Sequence, residues 1–360
     1  MAYTTIDKPT DHFKVLTYTG NGSDGRAVTG VGFQPDLNFI KDRGNSNKWF
    51  WQNSIMGSTN ELNSSDVQDV QDKSDGVQSF DSDGFTVGTR AVVNGSGYNL
   101  CSWNWLAAGS NTTDTSGSIS CTRRSNTTAG FAIMEYNADQ SSPYSIGHGL
   151  NSAPELVIAR AQVGANAWGV YYFANTTENN WLRLNNTDAK GTNNSDPDSR
   201  NRASGAGGYT GTYVDTSSSL VYISNSAFAS DGTGNNIMFA FHSVKGYSKI
   251  GKFVGNGLSN GPTIYTGFKP AFVLIKVVDG NTGGWDLYDT GRAIDNPASE
   301  RLQLNSMDAE TTNDDIDILS NGFKIRNTTG NQNGSGNTHI YFAIAENPFV
   351  SSGGVPATAR

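Results

Sequence analysis

The sequence predicts an all-β protein made of three tandem antiparallel β-sandwich modules, jelly-roll or lectin-like. Three observations carry that expectation. One string occurs three times, as Pro35-Asp36-Leu37-Asn38-Phe39-Ile40-Lys41, Pro154-Glu155-Leu156-Val157-Ile158-Ala159-Arg160 and Pro270-Ala271-Phe272-Val273-Leu274-Ile275-Lys276, with starts 119 and 116 residues apart. A period that long is the size of a domain and not of a solenoid unit. Second, the aromatic residues (7 Trp, 14 Tyr, 17 Phe) fall in short apolar clusters between polar, glycine-rich turns. That pattern fits short strands, although only 36% of the chain is hydrophobic and 42 residues are glycine. Third, no segment shows a sustained 3.6-residue apolar period with caps, and the acidic stretch 66–72 reads equally as a short helix or a loop.

Following the repeat along the chain divides it into an N-terminal arm (1–12), module one (13–108), a polar linker (109–129), module two (130–246), module three (247–348) and a tail (349–360). Each module opens on a short strand. In modules one and three this strand runs into Gly20-Asn21-Gly22 and Gly255-Asn256-Gly257, and Asn-Gly reads as a hairpin turn. The proline comes next and fits the first residue of a strand. The strand it starts is apolar on both faces in modules two and three, so it reads as central and covered on both sides. Each copy ends in a cation, Lys41, Arg160 or Lys276, read here as a solvated strand end in preference to a ligand-binding charge. A tryptophan then begins another aromatic strand (Trp49, Trp168, Trp285), followed by a Leu-Asn step at Leu62-Asn63, Leu184-Asn185 and Leu304-Asn305. Asp83-Gly84-Phe85 and Asn321-Gly322-Phe323 mark a further turn. The closing strands alternate with period two, Cys101, Trp103 and Trp105 on one face and Ser102 and Asn104 on the other. Modules two and three have almost no linker between them and are expected to pack together.

The net charge of −8 argues against nucleic acid as a partner, which needs a basic face. No run of 18 apolar residues exists to span a membrane, and Met1 to Phe13 has no apolar stretch of the kind a secretory signal needs. Cys101 and Cys121 can pair, but two buried or free thiols are the preferred reading.

Candidate chemistry is sparse. Asp81-Ser82-Asp83-Gly84 resembles part of a calcium loop, but module three has Leu319-Ser320-Asn321-Gly322 there, so a turn is preferred. The histidines (His12, His148, His242, His339) form no metal-ligand spacing and no Ser/His/Asp grouping. Gly95-Ser96-Gly97 lacks the Lys-Ser/Thr of a phosphate loop and reads as a hairpin turn. No carboxylate pair is marked for glycoside hydrolysis. Tyr209, Tyr213 and Tyr222, in a polar insert of module two, are the surface aromatics best suited to contact a sugar. The expectation is therefore no catalytic residue, no cofactor and no metal.

Longer strings carry a family resemblance: Met1-Ala2-Tyr3-Thr4-Thr5-Ile6, Leu16-Thr17-Tyr18-Thr19-Gly20-Asn21-Gly22, Ser82-Asp83-Gly84-Phe85, Gly246-Tyr247-Ser248-Lys249, Tyr265 through Lys276, and Phe342-Ala343-Ile344-Ala345-Glu346-Asn347-Pro348-Phe349. Over nearly its whole length, and least in module two, the chain resembles tail-fibre-like or structural virion proteins of tailed bacteriophages of marine bacteria and cyanobacteria. The resemblance implies a non-enzymatic protein of the virion exterior, made in the host cytoplasm without a signal peptide. It implies other virion proteins of tail or capsid as partners, with a host surface glycan or receptor as the contact and homo-oligomerisation left open. Tail-fibre or adhesin is the first reading. Capsid decoration and a glycan depolymerase on the same fold are the alternatives.

Overall fold

The computed structural model describes residues 4–137, 144–164, 166–172, 180–190, 214–223, 234–351, 353–354 and 356. The protein is all-β, with 49% strand and 4% helix. Three large antiparallel sheets share one strand order. In the first repeat, Phe13–Thr19 pairs with Asn99–Trp105, which pairs with Leu37–Asp42, then Phe50–Asn53 and Gly57–Leu62. In the second, the order is Phe131–Asn137, Asn235–Phe241, Leu156–Ala161, Gly169–Tyr172, Asn180–Arg183. In the third, it is Ser248–Val254, Thr338–Pro348, Phe268–Val277, Trp285–Asp289, Ala298–Gln303. The proline strand is thus central each time and buried along its whole length, as its sequence predicts. Pro35 and Pro154 precede their strands, while Pro270 sits inside a longer one, at a register shift.

In the first two repeats the large sheet is faced by a smaller one: Arg26–Thr29, Gly84–Val87 and Val77–Asp81; Tyr144–Gly147, Leu220–Ile223 and Val214–Thr216. In the third, the corresponding strands Thr263–Tyr265, Gly322–Ile325 and Thr311–Leu319 are continuous with the large sheet, through the pairing of Thr311–Leu319 with Ala298–Gln303, and pack back against it. Period-two alternation divides each large sheet between two cores. Ile40, Phe50 and Leu100 pack against Val28, Phe85 and Val87 of the smaller sheet, with separate equivalents in the second and third repeats. The opposite faces meet in one shared core containing Phe39, Trp51 and Trp105, then Ile158 and Phe239, then Phe272 and Phe342. Rings from different repeats touch there: Trp51 on Trp168, Trp105 on Phe272, Phe241 on Phe342. All three repeats therefore pack together, not only the second and third.

Several expectations change. The polar stretch 109–129 is no bare connector: Thr112–Asp114 and Cys121–Asn126 extend the second sheet beyond Phe131–Asn137, because Thr and Arg side chains tolerate a half-exposed edge. The stretch 66–72 ends in the short strand Gln71–Asp72 and contains no helix. Asn21-Gly22 is not a hairpin. It lies in a loop from the large sheet to the small one, docked on a second glycine turn by Gly22 N–H to the Asn94 carbonyl (2.7 Å) and Gly97 N–H to the Gly20 carbonyl (2.9 Å). Asn256-Gly257 docks the same way on Asn333 and Gly336. The backbones approach so closely that a Cβ on Gly20 would lie 2.0 Å from the Gly95 oxygen, and one on Gly255 2.3 Å from the Gly334 oxygen. Close approach, and not turn geometry alone, requires glycine here. Gly95-Ser96-Gly97 follows a single helical turn, Ala91–Asn94, and closes a β-turn from Tyr98 N–H to the Gly95 carbonyl.

Candidate functional site

The recurring cation, tryptophan and Leu-Asn turn meet, but across repeats and not within one. The end of each proline strand and the tryptophan after it donate to main-chain carbonyls of the Leu-Asn turn of another repeat. Lys41 Nζ donates to the Met307 carbonyl at 3.0 Å, and Trp49 Nε1 to those of Gln303 (2.9 Å) and Ser306 (3.1 Å). Arg160 donates to the Asn63 carbonyl at 3.1 Å and to that of Gln68, and Trp168 Nε1 to Asn63 at 2.7 Å. Lys276 Nζ donates to the Thr187 carbonyl at 3.0 Å, and Trp285 Nε1 to that of Arg183 at 2.9 Å. The first repeat thus reaches the third, the third reaches the second, and the second reaches the first. One backbone bond repeats at each seam, always to the carbonyl two residues beyond the cation: Glu310 N–H to Arg43 (2.8 Å), Val70 N–H to Gln162 (2.9 Å) and Lys190 N–H to Val278 (2.8 Å). This is a head-to-tail contact that closes after three copies.

The cations are not solvated strand ends. Lys41, Arg160 and Lys276 are each 0% exposed. A charged strand end is expected to meet water, whereas here it lies under the turn of a neighbouring repeat. Burial lowers Lys41 and Lys276 to about 8, against the pull of Asp42 and Asp308 for the first and of Asp286 and Asp188 for the second. Burial likewise lowers Arg160 to about 10, opposed by Asp66 and Asp69. The carbonyls they meet are partial negative charges, which offset part of the desolvation cost but do not cancel it. Arg160 also lies 5.5 Å over the Trp168 ring.

The seam between the first and third repeats carries more. Arg43 forms a bidentate pair with Glu310, at 2.6 Å for the shorter contact. Arg292 binds Asp289 at 2.7 Å and Glu310 at 2.9 Å, and Trp103 Nε1 donates to Asp289 at 3.0 Å. Asp289 and Arg292 are fully buried. Burial, with Asp289 nearby, pushes the Cys101 thiol well above its ordinary range. Cys101 and Cys121 are both buried and unpaired with each other, and Cys121 lies on a strand and not in a linker.

The remaining sequence candidates are structural in what they touch. Asp83 accepts the N–H groups of Gly30 and Gly32 (2.6 Å for the latter), and Asp81 accepts the hydroxyls of Ser79 and Thr86. Both carboxylates are engaged in holding the turn. His148 Nδ1 accepts from Leu150 N–H at 3.0 Å, which assigns the other ring proton to the Ser217 carbonyl at 3.1 Å. Burial lowers its pKa from the ordinary histidine value. His339 is buried and stacks on Phe253. Tyr209 and Tyr213 lie outside the described residues, while Tyr222 is 39% exposed. Among the described residues no group of three or more His, Cys, Asp or Glu side chains could hold a metal, and no helix is long and apolar enough to cross a membrane. A void of about 10 Å³ lies at the seam of the second and third repeats, lined by Leu156, Tyr172, Ile250, Leu274 and Trp285. It holds little more than a water-sized sphere and offers that sphere an apolar wall.

The family model described as a domain of unknown function (DUF7483) matches residues 8–348, and the chain belongs to that family. Comparisons with curated proteins and with solved structures found no match.

Proposed function

We propose that this member of the DUF7483 family is a non-enzymatic structural protein of the exterior of a tailed-bacteriophage particle, of the tail-fibre or adhesin type, contacting a host surface glycan or receptor. Its working unit is three tandem β-sandwich modules, closed into a ring. The jelly-roll reading of each module is supported by strand order: the first, last and third strands lie side by side, and in the layer that faces them the second strand pairs with the strand just before the last. The observation that carries the non-enzymatic reading is the closed seam. The residues that recur from repeat to repeat are engaged in joining repeats, with their polar atoms on backbone carbonyls. The virion assignment rests on the resemblance of the long strings from Met1 through Phe349. Tyr222, exposed on the smaller sheet of the second repeat, is the aromatic offered for glycan contact.

The pseudo-three-fold ring also suits a second reading, a capsid decoration protein seated at a local three-fold position. Immunogold labelling of intact particles with antibody to this chain separates the two. Label on the tail supports the adhesin, and label on the head replaces it with the decoration protein. Release of new reducing ends from host polysaccharide by the purified protein would overturn the non-enzymatic reading.

A further inference from the structure

We propose that the first repeat encloses an ordered-water site between its two sheets, at Asn38 and Gln52, where the other two repeats are filled by apolar and aromatic side chains. The three repeats supply the comparison. A cross-strand row on the inner face of the large sheet reads Asn104, Asn38, Gln52 in the first repeat. The same row reads Ala240, Val157, Tyr171 in the second and Ala343, Val273, Tyr288 in the third. One step along, Ser102 stands where the others have Met238 and Tyr341. Alternation with Ile40, Phe50 and Leu100 places the row on the face that looks toward the smaller sheet.

Asn38 and Ser102 are 0% exposed, Asn104 likewise, and Gln52 1%. Their donors run in one direction. Asn38 Nδ2 donates to Asn104 Oδ1 at 2.6 Å, Asn104 Nδ2 to Ser102 Oγ and to the Lys14 carbonyl, each at 3.1 Å, and Ser102 Oγ to the Leu16 carbonyl at 3.4 Å. At the other end of the relay two acceptors remain, Asn38 Oδ1 and Gln52 Oε1, both buried and both without a donor among the described residues. Asn38 and Gln52 are register partners on adjacent strands, so these side chains are neighbours on one face. Two carbonyl oxygens cannot satisfy each other, and one water can donate to both. Space favours the same answer. Gln52, beside Asn38, stands where both other repeats have the larger Tyr, and a protein interior does not leave such volume empty when its walls are polar.

The direct alternative is an inverted Gln52 amide donating straight to Asn38 Oδ1. A high-resolution crystal structure of the full chain decides. A water within hydrogen-bonding distance of both oxygens is the expected result. A direct Gln52–Asn38 contact with nothing between the sheets overturns the proposal. In solution, nuclear Overhauser contacts between long-lived water and the Asn38 and Gln52 side-chain amides are expected in the native protein. Their absence, with both amides assigned, counts against the site. The variant N38V/Q52Y/N104A writes the third repeat's row into the first. Its crystal structure should hold no water between the sheets at positions 38 and 52, and amide exchange should slow in the strand Gly84–Val87. A folded variant that still holds a water there would also overturn the assignment.

Discussion

The seam between the first and third repeats and the seam between the second and third solve the same problem with different chemistry. Both carry the buried lysine, the tryptophan donor and the backbone bond two residues beyond the lysine. At the first, the described residues add a network of paired charges, Arg43, Glu310, Arg292 and Asp289. The second and third repeats are consecutive in sequence, so covalent connection keeps them together. The first and third are joined only through the second, and closing that long loop costs conformational entropy that grows slowly with length. The charge network sits where the ring must close without help from the chain. The comparison teaches that the repeated elements set the geometry of a seam, while the non-repeated charges distinguish one seam from another.

The most disruptive way to break the comparison is Arg292→Met. It leaves the Asp289 carboxylate buried without its guanidinium partner, and one-sided removal from a buried pair costs about 3–5 kcal/mol. Urea unfolding should show it, and adding Asp289→Asn should recover part of the loss. Recovery is the outcome that separates a charge effect from lost packing.

Raising the pH sharpens the comparison from the other side. The folded-state values of Lys41 and Lys276, about 8, lie below the ordinary lysine value of 10.5. Between those limits the unfolded chain binds more protons, so the two lysines make stability rise with pH from about 8 to about 10.5. Below pH 8 both are charged in either state and contribute no slope. Each pKa unit corresponds to about 1.4 kcal/mol, so the combined contribution is on the order of a few kcal/mol. The double variant K41M/K276M should flatten the pH dependence of the unfolding midpoint in that window. An unchanged slope would show that the buried amines do not titrate there.

Smaller effects are expected from the tryptophans. Trp285→Phe keeps an aromatic ring but removes the donor to the Arg183 carbonyl, a loss of about 1 kcal/mol for one buried hydrogen bond. Trp49→Phe strips a donor shared by two carbonyls. It should cost a similar amount despite the charge network beside it, because that network does not touch those carbonyls. Thermal unfolding of the two variants side by side tests whether the seams are energetically separate.

Much of this fold was legible in the residues. The proline strand, its central position and its double burial follow from an apolar run read three times, and the alternation of Cys101, Trp103 and Trp105 marks the face turned to the shared core. The partners of the recurring cation and tryptophan were not legible. Arg160 meets Gln68, and Lys41 meets Met307, across separations that no local period records. The signal was present in another form. A charge placed at the same point of every repeat, after an apolar strand and before a tryptophan, is more than a solvated end requires. Asn38 and Asn104 were equally visible as polar residues in a strand, but only register against Val273 and Ala343 shows that they replace a hydrophobic row.

The head-to-tail seam also fixes how many units one ring can hold. Each repeat offers one giving and one receiving surface, and the turn made at each joint uses up a full circle in three steps. Deleting a unit would strand two sticky, mutually complementary faces with no mate in the same molecule, and inserting a fourth would force the circle open. A shortened gene would therefore be expected to yield chains that find each other.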